Sequence, residues 1–88
     1  MTTTAITRPE VTQADFGQAI SRRLAAANIT TARAAVALGV SQATMRRKLS
    51  GHSRIFTSDL FEVAQLTGGS AADLYDEAVA IAGGRNGR

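Results

Sequence analysis

The chain has 88 residues, of which 44% are apolar and only 5% aromatic, so it can form one small core and favours helices packed through small side chains. It contains no Cys, which excludes disulfides and thiolate metal sites. The net charge is +3, but the charges are segregated along the sequence.

Basic residues dominate the middle of the sequence. Between Phe16 and Ser58 there are seven basic residues and no acidic one: Arg22, Arg23, Arg33, Arg46, Arg47, Lys48 and Arg54. From Asp59 to Glu77 there are five acidic residues and no basic one. A compact fold with this distribution is expected to present a basic face, which attracts a polyanion.

The sequence of residues 1–39 predicts an arm followed by two helices. Residues 1–12 are rich in Thr and show no apolar period, so we predict a flexible arm. From Gln13 onward, apolar residues at helical spacing predict an amphipathic first helix that ends near Asn28. Thr30 suits the N-cap of a short second helix, and Gly39 suits its C-terminal cap because glycine tolerates a positive φ.

The third helix is predicted over residues 42–49, with Ser41 as its N-cap and Met45 on its inner side. It ends at Ser50 and Gly51, and a polar loop follows.

Two further helices follow the loop. Thr57 or Ser58 is predicted to cap the fourth helix, and Ser70 with Asp73 forms a capping box for the fifth. Residues 13–82 are therefore predicted to form one all-α, five-helix domain, and residues 83–88 a disordered basic tail.

The segment from Thr30 to Gly51 has the spacing of a helix-turn-helix, with the turn at residues 39–41. A small residue at Ala35 lets the two helices approach closely, and Gly39 permits a sharp reversal of the chain. Val40 and Met45 fill the angle between the helices. The third helix would then project as a rigid rod, which the DNA major groove is wide enough to admit.

These residues resemble the Cro/repressor-type (XRE) helix-turn-helix family of phage and bacterial proteins. The resemblance covers about residues 13–77 and rests on the pattern Ala35, Gly39 and Ser41, the run at residues 44–51 and the sequence at residues 56–60. It implies a compact, lambda-repressor-like domain that binds palindromic double-stranded DNA as a homodimer. The second helix of the family commonly opens with Thr-Gln, whereas here Thr31 occupies the Gln position, and Arg33 could take over its phosphate contact.

The resemblance assigns base contacts to the third helix: Gln42, Ala43, Thr44, Arg46 and Arg47. Arg can bond guanine through O6 and N7, Gln can bond adenine, and a short Ala suits a thymine methyl group. It assigns phosphate contacts to the start of the second helix and to the end of the third helix with its following loop: Thr31, Arg33, Lys48, His52, Ser53 and Arg54. Lys48 could also join the base-contacting set. Phosphate contacts add affinity and salt dependence with little sequence preference.

Other chemistry is poorly supported by the sequence. His52 is the only His, the basic segment around it lacks carboxylates for a metal site, and it has no Cys partner for catalysis. We therefore expect no enzymatic activity, cofactor, metal or small-molecule ligand. With no apolar stretch of membrane-spanning length, we expect no membrane association and a cytoplasmic location in a bacterial host.

The sequence thus predicts a sequence-specific transcriptional regulator, a phage Cro-like or compact immunity repressor that acts by occluding its operator. The alternatives are an antitoxin, an excisionase-like factor, or a protein-interaction module with the same fold. A dimer is predicted to use the fifth helix, through Val79 and Ile81, or Phe61. The operator sequence, the direction of regulation, the oligomeric state off DNA and the role of the arm stay open.

Overall fold

The computed structural model describes the backbone of residues 11–86 and the side chains of residues 11–84. This part of the chain forms five helices and no strand, which confirms the predicted all-α fold. The helices are α1 (Gln13–Ala26), α2 (Thr31–Leu38), α3 (Gln42–Ser50), α4 (Thr57–Thr67) and α5 (Ala71–Asn86). Residues 1–10 of the predicted arm lie outside the described residues.

Local side-chain chemistry sets the start of α1. The Thr12 hydroxyl accepts from the Asp15 amide at 3.2 Å, and the Asp15 carboxylate accepts from the Thr12 amide at 2.9 Å. This reciprocal pair satisfies two amides that have no partner inside the helix. Thr12, the last residue of the predicted arm, is therefore the N-cap of α1.

The caps predicted for α2 and α3 are confirmed. Thr30 accepts a hydrogen bond from the Arg33 amide at 3.1 Å, and Ser41 accepts one from the Thr44 amide at 3.0 Å. Gly39 ends α2 in the left-handed region, with φ of 71°. The turn between the two helices therefore has the residue types that its backbone requires.

The start of α4 corrects the prediction. Its N-cap is Phe56, not Thr57 or Ser58, and a Phe side chain has no hydrogen-bond acceptor. The Asp59 carboxylate instead accepts from the Phe56 amide at 2.9 Å. An acidic group in the first turn can replace a capping side chain because it also interacts favourably with the positive end of the helix dipole.

The predicted capping box of α5 is confirmed, since the Asp73 amide donates to Ser70 Oγ at 3.1 Å and the Ser70 amide to Asp73 Oδ2 at 3.3 Å. The disorder predicted from Gly83 is wrong for residues 83–86, which continue α5. Ala82 is fully buried, so packing against the rest of the domain holds the helix end. That packing offsets a glycine penalty of about 1 kcal/mol per residue in a helix.

One core joins the helices. The largest fully buried side chains are Ile20, Met45, Val63 and Leu74, which come from α1, α3, α4 and α5. Helix α1 packs against α3, α4 and α5, while α2 packs against α3 and α4. The helix-turn-helix is therefore mounted on α1 and α4 rather than standing apart from the domain.

Candidate nucleic-acid interface

Helix α3 presents one polar face to solvent. Gln42, Ala43, Arg46 and Arg47 are exposed, while Met45 is fully buried. Exposed positions spaced three and four residues apart lie on one side of an α-helix. The helix thus offers a continuous outward surface that carries two arginines and an amide.

The carboxyl end of α3 is fixed on α1 by two close approaches. A Cβ placed on Gly17 would lie 2.4 Å from the Leu49 carbonyl oxygen, so only glycine allows the two backbones to come so near. A Cβ on Gly51 would lie 2.8 Å from the Cα of Ala14. Gly51 also ends α3 with φ of 85°, a conformation that suits glycine.

At the amino end of α3, the cap engages one predicted base-contacting residue. The Ser41 hydroxyl donates to Thr44 Oγ1 at 2.9 Å while it accepts from the Thr44 amide. Thr44 is half-buried, whereas the other four predicted base-contacting residues are exposed. Its hydroxyl therefore already has a partner within the protein.

The loop after α3 folds back over the last turn of that helix. The Arg47 carbonyl accepts from the His52 amide at 2.8 Å and the Ser53 amide at 3.2 Å. Ser50 Oγ donates to the same carbonyl at 3.1 Å and lies 2.8 Å from Nδ1 of His52. His52 and Ser53 are thereby held beside Arg47, with the His52 side chain exposed and Ser53 half-buried.

The remaining predicted phosphate contacts lie on α2 and at the end of the loop. Arg33 is exposed in the first turn of α2, and Thr31, the first residue of that helix, is half-buried. Arg54 is exposed at the end of the loop. Because α2 packs against α3, its first turn belongs to the same motif as the outward face of α3.

Lys48 does not match its predicted role as a phosphate contact. The residue is only 5% exposed, and its ammonium lies 2.8 Å from Asp59 Oδ2 and donates to the Arg54 carbonyl at 2.7 Å. Its charge is neutralised inside the protein, so the phosphate prediction is corrected. The outward face of α3 therefore does not include Lys48.

Ion pairs also involve two basic residues of α1. Arg22 and Arg23 on α1 lie 4.0 Å and 3.6 Å from the carboxylate oxygens of Glu77 on α5. Four exposed arginines form no ion pair within the described part of the chain: Arg33, Arg46, Arg47 and Arg54. The unpaired positive charge therefore lies on α2, α3 and the loop, in and around the helix-turn-helix.

Two contacts that support the motif were missed by the sequence reasoning. One is the Lys48–Asp59 pair, and the other joins the Ile55 amide to Oε1 of Gln13, 42 residues apart. Each contact joins residues that do not share a helix, so no helical or strand period predicts it. The acidic residue in the first turn of α4, Asp59, was the one signal that the sequence offered.

The described residues hold neither a metal-binding cluster nor a membrane-spanning helix. No three His, Asp or Glu side chains there come close enough together to hold a metal ion. In the same part of the chain, no helix combines the length and apolar character needed to cross a bilayer.

Comparison with known proteins gives a structural relative. No model of a known protein family and no curated protein matches the chain. The crystal structure of the clp gene regulator ClgR from Corynebacterium glutamicum is similar, with a TM-score of 0.80 over 90% of this chain and 83% of that chain. The sequences are 23% identical, so this similarity establishes a shared fold.

Proposed function

We propose that this protein binds double-stranded DNA sequence-specifically through the outward face of α3 and regulates transcription. The observation that carries the proposal is the position of the unpaired arginines. Arg46 and Arg47 project from α3 beside Gln42, without ion pairs in the described part of the chain, while Arg22 and Arg23 are paired with Glu77. The sharing of a fold with a gene regulator supports the same conclusion.

The proposed base contacts follow from the chemistry of the exposed side chains. The guanidinium of Arg47 is suited to O6 and N7 of a guanine, and the Gln42 amide to N6 and N7 of an adenine. Ala43 offers a small apolar surface for a thymine methyl group. Arg46 lies beside them, and Thr44 contributes less because its hydroxyl is held by Ser41.

The proposed phosphate contacts are on either side of that surface. Arg33 and Thr31 at the start of α2 would bind one strand, and His52, Ser53 and Arg54 in the loop would bind near the end of α3. These residues position the helix in the groove and add affinity that falls as salt rises.

We further propose a homodimer on a palindromic operator, as in the Cro/repressor-type family, with repression by occlusion of polymerase. Two copies of α3 would enter successive major grooves. Phe61 on α4 is 60% exposed, and Tyr75 on α5 is 50% exposed. These aromatic side chains offer an apolar contact for a second copy, because exposed aromatics are enriched at protein interfaces.

Fluorescence anisotropy with a labelled random duplex at low and high salt tests the proposal. A DNA-binding protein should bind at low salt and lose affinity steeply at high salt, whereas a protein-interaction module should bind at neither. Arg54→Ala is expected to weaken binding at low salt several-fold. Arg22→Ala removes the same charge outside the proposed interface and should change affinity by no more than about twofold, because Arg22 would contact no phosphate and its charge is already offset by Glu77.

Absence of binding by the wild-type chain at low salt would overturn the proposal. Equal losses for Arg54→Ala and Arg22→Ala would indicate attraction by net charge alone and would contradict the assigned surface.

A further inference from the structure

Lys48 is enclosed by groups from two neighbouring elements. Its ammonium lies 2.8 Å from Asp59 Oδ2, donates to the Arg54 carbonyl at 2.7 Å and stands 5.2 Å from the centre of the Phe56 ring. The side chains of the ion pair are only 6% and 11% exposed. The pair thus joins α3 to the start of α4 through the loop that carries the proposed phosphate contacts.

Stability is a weak explanation for this pair. Removing two charges from water is costly, and apolar side chains of similar volume often stabilise a fold equally well or better. Asp59 is not required to cap α4 as an ion either, because a neutral amide oxygen could accept from the Phe56 amide. The charge of the carboxylate has a clearer effect on Lys48, which would otherwise be an uncompensated cation on the DNA-binding helix.

We propose that Asp59 is a specificity-determining positioning residue that withholds Lys48 from DNA phosphates; this inference rests on the proposed function. Lys48 lies on α3 directly after the exposed Arg47. A lysine has a flexible stem that can carry its ammonium from a partly apolar site to the surface. Once released, the ammonium would neutralise a phosphate and raise affinity for every sequence, which lowers discrimination between sequences.

The same pair positions the loop. Because Lys48 donates to the Arg54 carbonyl, and Asp59 also accepts from the Phe56 amide, the backbone on both sides of Ile55 is attached to one ion pair. His52 and Ser53 are also held independently of the pair, through their amide hydrogen bonds to the Arg47 carbonyl, which none of the variants below removes.

The test variant is Asp59→Asn, which removes the charge and keeps an acceptor for the Phe56 amide. We expect higher affinity for a random duplex and a plot of log K against log salt that is steeper by about 0.9, the contribution of one added phosphate contact. Between about 50 and 200 mM salt, the variant should lose about 3.5-fold more affinity than the wild type. Its discrimination between a selected site and a random duplex should fall.

Glu62→Gln is the matched control. It removes the same charge from the same helix, and Glu62 is exposed and forms no ion pair among the described residues. Its salt slope should equal that of the wild type. A slope that rises equally in both variants would mean that only net charge matters, and the inference would be wrong.

The double variant Lys48→Met/Asp59→Asn separates release of Lys48 from a general structural effect. It buries no charge, so it is expected to fold and to return to the wild-type salt slope. A slope shallower than the wild type by about 0.9 would show that Lys48 already binds phosphate in the wild type, which refutes the inference. Persistence of the steeper slope without Lys48 would refute it as well.

Folding is checked by thermal melts followed by circular dichroism. If neither the single nor the double variant folds, the pair serves stability and the inference fails. If the wild type binds no duplex, the proposed function fails first and the inference with it. If the wild type binds and Asp59→Asn leaves the salt slope and discrimination unchanged, only the inference fails.

Discussion

Gly51→Ala is expected to destabilise the domain much more than Gly68→Ala, although both glycines end a helix with similar backbone geometry. Gly51 ends α3 with φ of 85°, and Gly68 ends α4 with φ of 83°. The two sites differ in their surroundings. A Cβ at Gly68 would meet nothing within 4 Å, whereas a Cβ at Gly51 would lie 2.8 Å from both Cα and Cβ of Ala14.

The expected magnitudes follow from this difference. Placing an L-residue in the left-handed region costs roughly 1–2 kcal/mol, and this term applies to both variants. Gly51→Ala also forces α1 and α3 apart, and overpacking of this kind costs about 1–3 kcal/mol more. The sum is about 2–5 kcal/mol for Gly51→Ala against about 1–2 kcal/mol for Gly68→Ala.

Urea denaturation of the wild type and the two variants measures these free energies of unfolding. If the three proteins have equal m-values, the shift in the urea midpoint reports the change in the free energy of unfolding. Adding Ala14→Gly to Gly51→Ala should recover only part of the loss, because the backbone nitrogen and Cα of residue 14 would still obstruct the new Cβ. Equal destabilisation by Gly51→Ala and Gly68→Ala would refute the close seating of α3 on α1.

Two further substitutions test the helix-turn-helix. Ala35 is 3% exposed in the core of the motif. Ala35→Leu should therefore overpack the core and lower the free energy of unfolding by about 1–3 kcal/mol. An unchanged melting temperature would show that there is room for a larger side chain at this position. Ser41→Ala removes the N-cap of α3 and should cost about 0.5–2 kcal/mol in denaturant titrations. Ser58→Ala, at an exposed position of α4, is the control, and an equal effect of the two serine variants would contradict the capping role.

Helix ends were predictable wherever a single residue decides them. Thr30 and Ser41 cap helices through their own hydroxyls, and Gly39 supplies a positive φ, so each signal lies within four residues of its effect. Phe56 was not predictable in this way, because its own side chain has no hydrogen-bond acceptor and its amide donates to the Asp59 carboxylate instead. The end of α5 was not predictable either, because it depends on tertiary packing. Ala82 is buried, and the helix continues past it through Gly83 and Gly84.

The charge pattern predicted a basic surface, but it did not predict which basic residues form ion pairs within the protein. Segregation of charge predicted a basic surface, and exposed arginines do lie on α2, α3 and the following loop. Two of the five acidic residues, however, pair with basic residues of the other segment. Glu77 folds back to Arg22 and Arg23, and Asp59 to Lys48, across sequence separations that no local pattern encodes.

The most direct test of the central claim, that the outward face of α3 reads base edges, is selection of binding sites from a random duplex pool with the wild type and Arg47→Ala. The wild type should enrich a palindromic site. Arg47→Ala should lose preference for guanine at one position of each half-site, at a cost of about 1–3 kcal/mol for that base pair, and keep the rest of the site. Enrichment of no common sequence by the wild type, or an unchanged preference at every position in Arg47→Ala, would contradict the account.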